Sequence, residues 1–367
     1  MTDKEVSLNK GEWSEVYAFM KLLKDGRIYA ADEKLERLSE NMYLPIIKIR
    51  REEKDAGIYD YYTATEKEAV IKIFHNGQFI KDVNANDFDV YAVCLYHTIT
   101  SSKTGNIKLS DLTNLKNFFE EIYVKQLKAD NTQKADIILE IIDINTGFRE
   151  TDGFSIKSQL GGPSTLLNAS KATNLTYVIS GIDDEIMDKV NSIETKNKIK
   201  DRMNLLRSVN AEIKFSEMKN FIFNDNLEMI DSRMPEIISH ILLYRYFDNI
   251  TKSDELIKVI CERNPLGYRN NKIYGYKYKK LLCAAALGML PSKEWDGIDE
   301  ANGGYIIVKV DGDILAYYLR NRNAFEDYLL RTTKLEAAST ERHDYAKIYK
   351  EDGKYYMNLN LQVRFDA

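Results

Sequence analysis

Lys134 to Asn174 reads KADIILEIIDINTGFRETDGFSIKSQLGGPSTLLNASKATN, and its pattern decides how the rest of the chain is placed. Asp136 to Ile144 is apolar on both faces, as in a strand inside a covered sheet. Asn145, Thr146 and Gly147 carry turn chemistry. Phe154 to Gln159 then alternates, with Phe154, Ile156 and Ser158 on one face and Ser155 and Lys157 on the other. After it, Gly161-Gly162-Pro163 turns the chain, and Ser164 or Thr165 is expected to cap a short helix carrying Asn168.

An acid at the start of one strand and a lysine on the next would suit hydrolysis of a phosphodiester. That reaction needs a divalent ion to polarise the phosphate and acidify a bound water. Magnesium uses one or two carboxylates for such a site, together with phosphate oxygens. A nearby ammonium steadies the charge that develops on phosphorus. Asp136 would then be the metal ligand, Lys157 the cation, and Ser155 or its carbonyl a direct or supporting ligand. A plain strand start and a solvated lysine give the same short pattern, so D…SxK has no specificity alone.

At 367 residues and 44% hydrophobic, the chain can bury a large core as one domain or two. No apolar run reaches the length of a membrane span, and MTDKEVSLNKGE lacks the shape of a signal peptide. Cys94, Cys261 and Cys283 lie far apart in apolar contexts and are expected to be reduced core thiols of a cytoplasmic bacterial protein. Zinc spacings are missing, and four histidines argue against a histidine-based metal nuclease. A net charge of −5 neither announces nor excludes nucleic-acid binding, because the placement of charge decides that.

Asn9 to Glu12 has the spacing of a capping box opening a helix from Glu12 to about Leu23. On that helix Glu12 and Glu15 fall within or beside the apolar arc of Trp13, Val16, Tyr17, Met20 and Leu23. Carboxylates there need a partner or a metal, unless they only complement the helix dipole. Strands are expected at Ile46–Arg50, Ile58–Thr63, Ala69–Phe74, Val90–Tyr96 and Asn174–Ser180. Long helices are expected from Ser110 to about Leu127 and from Glu194 to Lys214, and helices dominate from Met234 to Met289. Within these, Arg263–Lys280 is rich in Lys and Arg, has no acid, and is interleaved with tyrosines, a mixture suited to phosphate contact. From Gly303 the pattern returns to strands, ending in a hairpin after the polar loop Ser339–Asp344.

Several stretches together resemble one family. GEWSEVYAFMKLL, DGFSIKSQLGGPSTLLNASKATN, FEDYLL and STERHDYAKIYKEDGKYYMNLNLQVRF are similar, in that order, to the HpaII-type family of type II restriction endonucleases. The resemblance implies an α/β (α+β) protein with a PD-(D/E)XK nuclease core, a central mixed sheet flanked by helices in αβββαβ order. It divides the chain into a catalytic segment 1–230, a helical, basic DNA-contact region 231–300, and a β-rich recognition region 301–367.

The resemblance places Asp136 as the motif's first acid and Lys157 as its lysine, while Ser155 stands where the signature has Asp or Glu. The second carboxylate must then come from elsewhere. Glu15 is the first candidate, since Glu12 has a capping role, and Glu140 is the fallback. Arginine matches guanine O6 and N7, and acids or amides match the cytosine or adenine edge. Arg342, His343 and Thr340 are therefore the leading base readers, with Arg269, Lys272, Arg320 and Asn168 as further DNA contacts. The implied activity is magnesium-dependent cleavage of double-stranded DNA at CCGG or a related short palindrome. The implied setting is a homodimer beside a separate cognate methyltransferase. A repair or modification-dependent nuclease of the same superfamily, and a DNA-binding module without metal chemistry, are the alternatives.

Overall fold

The structure is a computed structural model that describes residues 6–32, 34–53, 56–65, 68–127, 135–143, 147–318, 322–338 and 345–366. Contacts divide it into two units, one of Met1–Ser164 with Asp299–Phe325, the other of Thr165–Ile298 with Glu326–Asp366. This partition cuts across the three segments drawn from the sequence, because the first unit is completed by a hairpin from late in the chain.

The first unit is built on a nine-stranded mixed sheet. Its order is Arg27–Ala30, Ile314–Tyr318, Gly304–Val308, Arg149–Ser158, Ile137–Ile142, Tyr43–Glu53, Gly57–Tyr62, Val70–His75 and Gln78–Asn84. Gly304–Val308 runs parallel to Arg149–Ser158, and Ile314–Tyr318 parallel to Arg27–Ala30. Arg27–Ala30 also pairs with the start of Tyr43–Glu53, so six of these strands close into a hydrogen-bonded ring.

The opening helix, Lys10–Asp25, buries Trp13, Val16, Tyr17, Phe19, Met20 and Leu23 in this unit's core. Asn9 and Glu12 form the capping box that the sequence announces, and Gly26 ends the helix in the left-handed region at φ 61°. Glycine takes that conformation without the Cβ clash that other residues meet.

Local expectations hold where the apolar period is clean and fail where turn residues or burial override it. Val90–Tyr96, expected as a strand, lies inside the helix Ala85–Ser101. Phe88, Ala92, Leu95 and Ile99 form its buried stripe, while the β-branched Val90 and Val93 that suggested a strand are exposed. The expected helix from Ser110 is reduced to a single turn and Thr113–Glu121, with Tyr123 in the left-handed region beyond it. The helix expected to Lys214 stops at Ser208, and Asn210, at φ 52°, turns the chain into the strand Glu212–Met218. Thr165–Leu167 is a short strand rather than a helix, followed by the single turn Lys171–Thr173.

The αβββαβ order is therefore not met as drawn. Asn174–Ser180 belongs to the second unit, in a four-stranded sheet between Glu212–Met218 and Lys354–Asn360. The strand lying parallel to the lysine-bearing strand is Gly304–Val308, which follows the first part of the second unit in sequence. Helices Phe221–Ile230, Met234–Phe247, Ser253–Arg263 and Ile273–Leu287 fill much of the second unit. The cysteines form no disulfide among the described residues, and only Cys283 is buried, with Cys261 partly covered and Cys94 on the outer face of its helix. Among the described residues no helix is long and apolar enough to cross a membrane.

Candidate active site

Asp136 precedes the Ile137–Ile142 strand and faces the Arg149–Ser158 strand, where Ile137 pairs with Phe154. The second strand continues past this point and pairs with Gly304–Val308 alone, so the sheet forks at Asp136. Three polar groups meet at the fork. Ser155 Oγ donates to Asp136 Oδ2 at 3.0 Å, and the Ile156 N–H donates to the same oxygen at 2.6 Å. Lys157 Nζ donates to Ser155 Oγ at 2.9 Å and to the Ile156 carbonyl at 3.3 Å. Its ammonium also lies 5.4 Å from the centre of the Tyr305 ring. Ser155, only 1% exposed, thus ties acid and lysine together.

Glu15 comes to the same place from the opening helix. Buried Ser14 accepts a 2.8 Å hydrogen bond from Ser158, which clasps the helix to the lysine-bearing strand one residue before Glu15. Burial pushes the Glu15 carboxyl up to about 8, and the neighbouring negative charge of Asp136 adds to the rise. Lys157 and Arg51 act in the other direction, and Glu12 raises it further. Glu15 accepts no hydrogen bond among the described residues, and Asp136 Oδ1 is likewise unused there. Glu12 instead accepts from the Asn9 N–H at 2.8 Å, closing the capping box.

Two adjoining carboxylates with unused oxygens, beside a fixed lysine, form an oxygen donor set of the kind a hard divalent ion takes. Among the described residues no group of three His, Cys, Asp or Glu side chains is arranged to hold a metal, while Asp136 and Glu15 are two carboxylates close enough to feel each other's charge. Glu140 is engaged elsewhere, 3.3 Å from Lys48 Nζ.

Of the DNA-contact candidates, Arg342, His343, Thr340 and Arg320 lie outside the described residues. Arg269, Lys272 and Asn168 are exposed. The basic stretch around Arg269 is largely engaged within its own unit. Lys277 pairs with Asp231 at 2.8 Å, Lys279 with Asp327 at 2.9 Å, Lys280 with Glu326 at 2.5 Å, and Arg263 with Asp248 at 2.9 Å. Tyr274 and Tyr278 are buried in its helix.

An acid pair, a lysine bridged to one acid, and a forked mixed sheet have the makings of a phosphodiester-cleaving enzyme, and comparison with known proteins fixes the class: this chain is a site-specific restriction endonuclease. It belongs to the HpaII restriction endonuclease family, whose model matches residues 9–365. It is 37% identical over 362 residues to the type II restriction enzyme HpaII of Haemophilus parainfluenzae, covering 97% of this chain and 98% of that enzyme. No solved structure matches it.

Proposed function

We propose that this restriction endonuclease cleaves double-stranded DNA in a magnesium-dependent reaction, at CCGG or a related short palindrome, through a site of PD-(D/E)XK type. The observation that carries this reading is the convergence of Glu15, Asp136 and Lys157 at the fork, with Glu15 left half-buried and without a hydrogen bond among the described residues. Asp136 Oδ1 and Glu15 would hold the ion. When bound, magnesium supplies an acidified water and polarises the phosphate.

The remaining work belongs to the chain itself. Ser155 and the Ile156 N–H fix the Asp136 carboxylate through one oxygen, so its other oxygen keeps a set direction. Lys157, oriented by Ser155 and the Ile156 carbonyl, brings positive charge to the phosphate as its negative charge grows. A glutamate from the opening helix takes the part that the serine at 155 cannot perform. Exposed Arg269, Lys272 and Asn168, together with Arg342, His343, Thr340 and Arg320, are the proposed DNA contacts. A palindromic target fits a twofold dimer, and a separate methyltransferase would protect host sites in the bacterial cytoplasm.

Purified protein with magnesium should cut unmethylated plasmid DNA into discrete fragments, and Lys157→Ala should abolish the pattern while the fold persists. No cutting across a broad panel of unmethylated DNAs, with magnesium or manganese, contradicts the reading. Cutting of methylated DNA alone would instead identify a modification-dependent nuclease.

A further inference from the structure

Arg51 is a second fixed cation beside the acid pair, and the function proposed above assigns it nothing. It lies on the Tyr43–Glu53 strand, next to the Ile137–Ile142 strand that Asp136 precedes. Its guanidinium sits 5.0 Å from the centre of the Phe19 ring. Phe19 follows Glu15 by four residues on the opening helix, so Arg51 packs one helical turn from the Glu15 carboxylate. It is also among the charges that Glu15 senses.

The guanidinium is held from one side. Nη2 donates to the Gln126 carbonyl at 2.5 Å and Nε to Glu53 Oε1 at 3.4 Å. Glu53, 3% exposed, is anchored in turn by the backbone N–H groups of Lys125 and Gln126 at 3.2 and 2.7 Å. Nη1 makes no hydrogen bond among the described residues. Arg51 is therefore orientated in advance with donor capacity to spare, the condition under which arginine recognises phosphate with little loss of side-chain freedom.

Charge balance gives this cation a task. Glu12, Glu15, Asp136 and Glu53 carry four formal negative charges when ionised, against Lys157 and Arg51. A divalent ion would offset the remainder, and the DNA phosphate then adds negative charge that grows during cleavage. A fixed guanidinium repels the metal ion but attracts the phosphate, so its benefit falls on the anion.

We propose that Arg51 is a second phosphate-recognising cation of the cleavage reaction, acting with Lys157 on either side of the Glu15–Asp136 pair. This rests on the metal-dependent reading above. If that reading fails, the wild-type protein does not cut in magnesium, or Lys157→Ala cuts normally, and the Arg51 variants are then not the cause.

The test compares Arg51→Met and Arg51→Lys with the wild type on an unmethylated duplex whose sequence comes from mapped plasmid cuts. Arg51→Met should cut about 10- to 100-fold more slowly at saturating magnesium and bind the duplex in calcium several-fold more weakly. Its half-saturating magnesium, and its manganese affinity by calorimetry without DNA, should be unchanged or tighter, because a repelling charge has gone. A merely structural arginine would not split metal and DNA in this way. Arg51→Lys keeps the charge but not the anchored fork, so its rate should fall between those of Arg51→Met and the wild type. A folded Arg51→Met that cuts at the wild-type rate, or one whose slow cutting follows weaker metal binding, overturns the proposal. Should Arg51→Met fail to fold, Arg51→Gln takes its place: slow cutting with unchanged metal binding supports the proposal, and a wild-type rate overturns it.

Discussion

Two clusters of acids and cations sit on the same nine-stranded sheet, and their chemistry is opposite. In one, Asp60 accepts from Lys48 at 3.1 Å and from Arg50 at 2.8 Å, with Glu140 3.3 Å from the same lysine. Burial alone would raise the Asp60 carboxyl, but hydrogen bonds from Arg50 and Lys48 outweigh it and hold the carboxyl below its usual range. In the other, burial and the adjoining Asp136 drive Glu15 up to about 8 despite Lys157 and Arg51. The first cluster is complete in itself. The second has fewer cations than acids, and the ion and substrate proposed above would meet that imbalance.

The sharpest way to break the contrast is to disable each cluster in turn. Asp136→Asn and Lys157→Ala should each lower DNA cleavage at least about 1,000-fold, with melting temperatures close to wild type. Asp60→Ala should do the reverse. Leaving buried Lys48 with Glu140 alone and half-buried Arg50 without its acid should cost about 2–3 kcal/mol in urea unfolding, with the cleavage rate per folded molecule retained. Loss of cleavage in Asp60→Ala at full occupancy of the folded state would show that the two clusters are not separate.

Glu15 gives a pH-dependent signature. Its folded pKa, about 8, lies above the ordinary value of 4.5. Below about pH 4.5 both states hold the proton and Glu15 carries no penalty. Between there and pH 8 the unfolded chain releases its proton first, so stability falls as pH rises, and above pH 8 the loss is constant. In metal-free protein, Glu15→Gln should therefore be more stable than wild type by roughly 2 kcal/mol at pH 8.5, about half of what the full shift converts to, because solvent reaches the half-buried group. The two should be equal near pH 4.5, as read from denaturant curves. A parallel pH dependence in both proteins would contradict the raised carboxyl.

The smallest expected effects separate exposed from engaged cations in the second unit. Replacing Arg269 and Lys272 together by alanine should flatten the salt dependence of DNA binding by up to about two counterions, with stability unchanged. Lys277→Ala, which removes the partner of Asp231, should lower stability by up to about 1 kcal/mol and leave the salt slope alone.

The sequence showed the fork more clearly than the sheet around it. Alternation at 154–158 and the capping box at Asn9 and Glu12 fixed both the strand that carries Lys157 and the helix that carries Glu15. These signals are local, so they survive into the fold. The partner of the lysine-bearing strand was not legible, because Gly304–Val308 lies about 150 residues onward and pairing at that distance leaves no local trace. Val90–Tyr96 misled because β-branched residues on the outer face of a helix look like a strand when burial is unknown. The ion pairs of the basic stretch were not legible either, since their acids, Asp231, Asp248, Glu326 and Asp327, lie outside it in sequence. Arg51 lies one residue beyond the strand expected at Ile46–Arg50, and nothing in the local pattern ties it to Glu15.

Crystals of the protein soaked in manganese, with anomalous scattering collected at the manganese edge, test the central claim most directly. A single strong peak should appear about 2.1–2.3 Å from carboxylate oxygens of both Asp136 and Glu15, and it should vanish in Asp136→Asn. A peak at other acids, or a Glu15 carboxylate that stays clear of the ion, would contradict the assignment of this fork as the active site.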